Sequence, residues 1–394
     1  MSGRLTAIVS TGLEVDVGLL EQVLVEAAEP HGLPLRLVRL GPDESWSAAI
    51  RHDGAARGFL LLPGDDVDLE LEAGSLWADR EDGGHSDGHR PPIVRVDLGL
   101  RDPDPSSALL HHVRGSGLDG LRFVVSSLAA AAAHPAQREY YGPGRDQYGE
   151  WREPVTGRES DGPPLAVLIH GGFYRSRWQA GLMDELAVDL ARRGWCSWNL
   201  EYRRPDLHGW AATIDDLHAG LARARELAGA SGGPVVLVGH SAGGQLALQL
   251  AEETAAAATG PDAPESVLLA VSLAGVVDLV AAHDRFLGEG AVGIALGGSP
   301  TELPQLYARA SPQEFRDRST AWLLVQGSDD SADLVEMNRR LSRSVRLGLP
   351  ELIEAPGHHF SVIDPRSPIW EAALARVTEM LDAGVARPTG DNPA

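Results

Sequence analysis

The sequence predicts an α/β protein built from two parallel-sheet domains in tandem. Three observations predict it. Short apolar runs alternate with segments of helical spacing along most of the chain, the pattern of strands joined by helical crossovers. A stretch rich in Gly, Pro and charge, residues 135–163, separates one series of such runs from a second. The second series contains Gly239-His240-Ser241-Ala242-Gly243, set between an apolar run and a helical segment.

The elements follow in order. In residues 1–134, Leu5 to Val9, Leu35 to Val38, Gly58 to Leu62 and Ile93 to Val96 read as strands. Leu19, Leu20, Val23, Leu24 and Ala27 give the first intervening segment a helical stripe. Asp79 to His89 is acid-rich and reads as a loop. In residues 135–386, strands are expected at Leu165 to Ile169, Cys196 to Leu200, Val235 to Val238, Val267 to Ser272, Ala321 to Val325 and Glu351 to Glu354. Met183 to Arg192 and Thr213 to Leu227 read as helices, and Gln147 to Pro154 as an edge hairpin. The tail, residues 387–394, has the composition of a disordered segment.

Composition narrows the function classes. A net charge of −22 over 394 residues argues against nucleic acid and anionic membranes as partners. Cys196 is the only cysteine, so no disulfide framework or thiolate metal site is expected. His111-His112 has no partner at metal-ligand spacing, and neither a metal nor a cofactor is expected. With no signal-peptide pattern at Met1 to Ser10, the expected location is cytoplasmic.

The chemistry centres on Ser241. A G-x-S-x-G turn between strand and helix is the nucleophile elbow, which exposes the serine hydroxyl at the carboxyl edge of a sheet. Serine is a weak nucleophile and needs a base, and the base needs an orienting acid. The strand Ala321 to Val325 runs into Gln326-Gly327-Ser328-Asp329-Asp330, with Asp333 close behind. Asp330 is the preferred acid of the three, and at least one of the others is expected to cap the next helix. The last strand leads to His358-His359-Phe360, where His359 is the preferred base and His358 the alternative. Leu165 to Ile169 ends in His170-Gly171-Gly172-Phe173. The Gly171 and Gly172 turn and the N–H of Ala242 are the candidate oxyanion donors. Phe173, Tyr174 and Trp178, with Trp210 and Phe286, are candidates for an acyl pocket. Arg193, Arg203 and Arg204 are candidates for holding a substrate carboxylate, with surface solvation the alternative. Residues 283–311 fall where a cap is commonly inserted.

From about Tyr141 to Leu381 the chain resembles the HGG-type α/β-hydrolases, which include kynurenine formamidases, small carboxylesterases and hormone-sensitive-lipase relatives. The matching pieces are His170-Gly171-Gly172-Phe173-Tyr174-Arg175, Asn199-Leu200-Glu201-Tyr202-Arg203-Arg204, Gly239-His240-Ser241-Ala242-Gly243-Gly244, Gly327-Ser328-Asp329-Asp330 and His359-Phe360. Two positions depart from the pattern. Tyr174 stands where kynurenine formamidases carry Trp, and Gln326 where many relatives carry His. The resemblance implies a serine hydrolase for a small ester, amide or formamide. The same machinery also serves acyl-transferases, cyclases and thioesterases. A non-catalytic scaffold is the alternative of another class.

The first domain is similar to the flavodoxin-like skeleton of type II 3-dehydroquinate dehydratases, at Gly58 to Gly64, Pro92 to Leu98 and Gly115 to Leu121. Asp97 stands where that family carries its histidine, and the first tyrosine of the chain is Tyr140. Without a phenol and an imidazole, the dehydration has no acid/base pair. The resemblance implies an inactive domain with a structural role, either assembling the chain as a homo-oligomer or covering the hydrolase site.

Overall fold

The computed structural model describes residues 3–64, 90–99, 109–155, 162–229, 233–257, 267, 269–316, 318–344 and 350–384. The expected loop at 79–89 and the tail at 387–394 lie outside the described residues. The chain divides into two compact units, Met1–Pro135 with Arg177–Asp184, and Ala136–Ser176 with Glu185–Ala394.

The first unit runs β1 (Arg4–Ser10), α1 (Val17–Ala28), β2 (Leu35–Leu40), α2 (Trp46–His52), β3 (Ala56–Leu62), β4 (Ile93–Asp97), β5 (His111–Arg114) and α3 (Gly117–Ala133). The strands are all parallel, in the order β2-β1-β3-β4-β5. This is the flavodoxin-like doubly wound order. Alternate residues of β1 and β3 serve opposite faces. Leu5, Ala7, Val9 and Leu60 pack with α1 and α3, whereas Ile8, Phe59 and Leu61 pack with Ile50 of α2. Strand β5 has little apolar content and escapes a hydropathy reading. Its histidines are buried through polar partners: His112 Nε2 lies 2.6 Å from Asp97 Oδ2, which also takes Arg95 Nε at 2.9 Å. Within the same unit, Ser127 Oγ donates to Asp184 Oδ2 at 2.6 Å.

The second unit carries an eight-stranded sheet. Its strands are β6 (Gln137–Tyr140), β7 (Tyr148–Arg152), β8 (Leu165–Ile169), β9 (Cys196–Leu200), β10 (Val235–His240), β11 (Leu269–Leu273), β12 (Ala321–Gly327) and β13 (Glu351–Ala355). The order is β13-β12-β11-β10-β8-β9-β7-β6. The six strands from β8 to β13 are parallel to one another, while β6 and β7 form an antiparallel hairpin at the edge; Gln147 to Pro154, expected as the hairpin, supplies only its second strand, and the first lies at 137–140. Helices α4 (Asp184–Arg192), α5 (Pro205–His208), α6 (Trp210–Ala228), α7 (Ala242–Ala257), α8 (Leu279–Asp284), α9 (Leu287–Leu296), α10 (Pro304–Ala310), α11 (Ala332–Ser342) and α12 (Pro368–Asp382) fill the connections. Strands buried on both faces explain the continuous apolar runs of β8, β10 and β11.

Register then decides what meets. Ile169 pairs with Gly239, His240 with Leu273, Leu273 with Val325, and Gly327 with Ala355. The turns that follow β8, β10, β12 and β13 therefore leave one carboxyl edge at similar height, where ligands gather in open α/β sheets.

Candidate active site

The turn after β10 is built around an unfavourable backbone. Ser241 has φ 55, in the left-handed region. For an L-residue with a side chain this costs about 1–2 kcal/mol. The neighbourhood holds it there: Ser241 N–H donates to Leu273 O (2.8 Å), and Ser241 O accepts from Gly244 N–H (2.9 Å) and Val276 N–H (3.2 Å). The flanking glycines are steric requirements. A Cβ at Gly239 would collide with the carbonyl of Gly243, and one at Gly243 with that of Ile169. Ser241 is thereby fixed at the start of α7, where the first N–H groups, Ala242 among them, have no acceptor within the helix.

The turn after β8 passes directly beside it. A Cβ at Gly171 would stand 2.8 Å from Ser241 Cβ and 2.6 Å from His240 O, so only glycine fits. Gly172, Phe173 and Tyr174 all have positive φ. His170, fully buried, braces the turn from below. Its Nδ1–H donates to Gly171 O at 2.8 Å, and its Nε2 lies 3.3 Å from Glu201 Oε1. Its ring stacks on Tyr202 at 4.4 Å, and the Tyr202 hydroxyl donates to His170 O at 2.8 Å. In a planar trans peptide the N–H points opposite to the C=O. Pulling Gly171 O toward His170 therefore aims the N–H of Gly172 the other way.

Asp330 and His359 are brought together. His359 Nδ1–H donates to Asp330 Oδ2 at 2.8 Å, which fixes the tautomer and leaves Nε2 as the basic atom. Asp330 Oδ1 accepts Ser331 N–H at 2.6 Å, and Oδ2 also accepts Gln326 Nε2–H at 3.0 Å. Burial pushes the Asp330 carboxyl up, but the bond and charge of His359, then Ser331 N–H and Gln326, outweigh it and hold it below its ordinary value.

The competing side chains have other work. Asp329 staples the two loops, its Oδ2 accepting Gly357 N–H at 3.0 Å. Asp333 faces solvent and pairs with Arg285 at 2.6 Å. None of the three aspartates caps α11. The cap is Ser331, whose Oγ accepts Leu334 N–H, and this corrects the capping expectation. His358 is exposed, and its Nδ1 accepts Phe360 N–H at 3.2 Å.

His240, the variable position of the elbow motif, has a role the motif alone does not suggest. Its Nε2–H donates to His359 O at 3.1 Å and its ring lies 4.8 Å from that of His359. Burial, and next the neighbouring His359, lowers its pKa from 6.5 to about 3, so it is neutral in the fold. Between these two values an unfolded chain takes up a proton that the folded chain refuses, and stability falls with falling pH. His240→Asn should therefore flatten the pH dependence of Tm across this window. A slope equal to that of the parent chain would contradict a neutral His240.

The aromatic and basic candidates are sorted by burial. Phe173 is partly exposed, and its ring packs against Gly288. Tyr174 is core rather than pocket: it is 1% exposed, bonds Gln245 Oε1 at 2.9 Å, and sits 5.5 Å from the Trp210 ring. Trp178 belongs to the first unit, edge-on to Phe123 at 5.8 Å. Phe286 is 70% exposed. Arg203 is held by both oxygens of Asp216, Arg204 by Glu201 and Asp146, and Arg193 by Asp189 and Glu371, so carboxylates of the chain already take these cations. Residues 283–311 hold α9 and α10, and Arg175 reaches across to Gly288 O at 2.8 Å.

Comparisons with known proteins fit this architecture. Residues 155–344 match the family model described as BD-FAE. No curated protein matches the chain. Among solved structures, the chain is similar to esterase B from Lactobacillus rhamnosis HN001, at 17% identity and TM-score 0.52, over 66% of this chain and 91% of that one. The same enzyme inhibited by a C4-C4 tributyrin phosphonate matches at 17% identity and TM-score 0.53, over the same shares of 66% and 91%. A truncated carbohydrate esterase from gut microbiota matches at 16% identity and TM-score 0.52, over 62% of this chain and 95% of its own. The second unit has the α/β-hydrolase fold.

Proposed function

We propose that the chain is a serine esterase for small acyl groups, with Ser241, His359 and Asp330 as its triad. The observation that carries this reading is the Asp330–His359 bond at the sheet edge where the strained Ser241 turn emerges. Ser241 Oγ attacks the ester carbonyl as its proton passes to His359 Nε2. The oxyanion is met by the N–H groups of Gly172 and Ala242. The intermediate collapses, the leaving alkoxide takes the proton from His359, and an acyl-serine remains. Water repeats the sequence and frees the acid. Asp330 keeps the imidazole in the required tautomer throughout. The first unit takes no step in this reaction: Asp97 is occupied by Arg95 and His112.

Small acyl groups are favoured because the bulky Phe173 follows Gly172 directly in the chain, and its ring packs against Gly288. A series of p-nitrophenyl esters tests the reading. Rates should peak between acetate and butyrate and fall beyond; a maximum at octanoate or longer would contradict it.

A further inference from the structure

The contacts of Asp330 continue inward through two buried amides. Gln326, at the end of β12, donates from Nε2 to Asp330 Oδ2 and to Gly327 O, each at 3.0 Å. Its Oε1 accepts from Asn338 Nδ2 at 2.9 Å. Asn338 lies on α11 and is fully buried, and its Nδ2 also reaches Gly275 O at 2.9 Å and Leu334 O at 3.0 Å. Backbone carbonyls only accept, so the NH2 of Asn338 must face them. Asn338 then has only a donor to offer Gln326, which presents oxygen to Asn338 and NH2 to Asp330. The second branch leads to the elbow. Gly275 precedes Val276, whose N–H donates to Ser241 O at 3.2 Å. One side chain thus bonds both the segment that holds the serine turn and the amide that holds the acid.

We propose that Asn338 is a positioning residue for the triad, acting through Gln326 on Asp330; this rests on the reading of Ser241, His359 and Asp330 given above. With Gln326 NH2 on Oδ2, the carboxylate is held in the rotation that faces His359. Without Asn338, Gln326 Oε1 is left buried without its donor, and the amide loses the contact that fixes its position against Asp330.

The test uses the full chain and the variants Asn338→Leu, Gln326→Met and the double variant, with kcat for p-nitrophenyl acetate expressed per serine titrated by a fluorophosphonate. That normalisation removes losses from unfolded protein, which a merely structural role would produce. Each single variant should lose about ten-fold in kcat per titrated site with little change in KM. The double variant should lose no more than the worse single, because both act through one contact. In an Asp330→Asn background, Asn338→Leu should cost nothing further. Unchanged kcat per site in Asn338→Leu, or additive losses in the double variant, would overturn the proposal. If Asn338→Leu does not fold, Asn338→Ala, which also removes the donor, replaces it, with the same outcomes. A parent chain that neither titrates nor hydrolyses would remove the triad reading itself. A parent that does both, beside variants of full activity, would remove only the role of Asn338.

Discussion

Ser241→Ala is expected to reduce turnover of p-nitrophenyl acetate by about 10⁶-fold, to the level left by oxyanion binding alone. The size follows from the chemistry, because no other group can form the acyl bond at that point of the turn. The fold should survive. Alanine removes one oxygen from a side chain that is 2% exposed, and all the hydrogen bonds named above for this turn are made by the backbone. Loss of turnover with an unchanged melting temperature is the predicted pair of results. Turnover within ten-fold of the parent would mean that the strained serine serves another purpose.

The second large effect belongs to the acid and the base. His359→Ala should lower kcat about 10⁶-fold and Asp330→Ala about 10⁴-fold. The difference reflects their roles: His359 moves the proton, whereas Asp330 orients the ring that moves it. Asp329→Ala and His358→Ala should leave kcat within a few-fold. Asp329→Ala should cost about 1 kcal/mol of stability through the lost bond to Gly357. These four variants, measured for kcat and Tm together, separate catalysis from loop stapling. If His358→Ala proved the more damaging of the two histidine variants, the base would be His358.

The parts of this arrangement that were legible in the sequence are those with local causes. Leu165 to Ile169 and Val235 to Val238 announce buried strands because their neighbours cover both faces. The elbow announces itself through its spacing: Gly239 answers a collision with Gly243, four residues on, whereas Gly243 answers one with Ile169 at the end of β8. Strand β6 gave no signal, since Gln137–Tyr140 is an exposed edge whose residues carry no apolar period. Strand β5 gave none because His111 and His112 are buried by polar partners rather than by hydropathy. The choice among Asp329, Asp330 and Asp333 was narrowed by spacing alone. What distinguishes them is whether each carboxylate meets His359, Gly357 or Arg285, and those contacts are made across strands and loops. His240 and Asn338 had no signature. Their partners, His359 and Gly275, lie 119 and 63 residues away, and only the sheet register brings them within reach. Tyr174 reads as a pocket candidate because its aromatic type suits a pocket and a core equally well; in the structure its hydroxyl bonds Gln245 in the core.

Covalent labelling of the parent chain with a fluorophosphonate, followed by peptide mapping, tests Ser241 as the nucleophile most directly. One adduct per chain is expected, on the peptide containing Ser241, with hydrolysis lost in proportion to labelling. His359→Ala should label far more slowly while remaining folded. An adduct on any other serine, or full labelling with hydrolysis retained, would contradict Ser241 as the nucleophile.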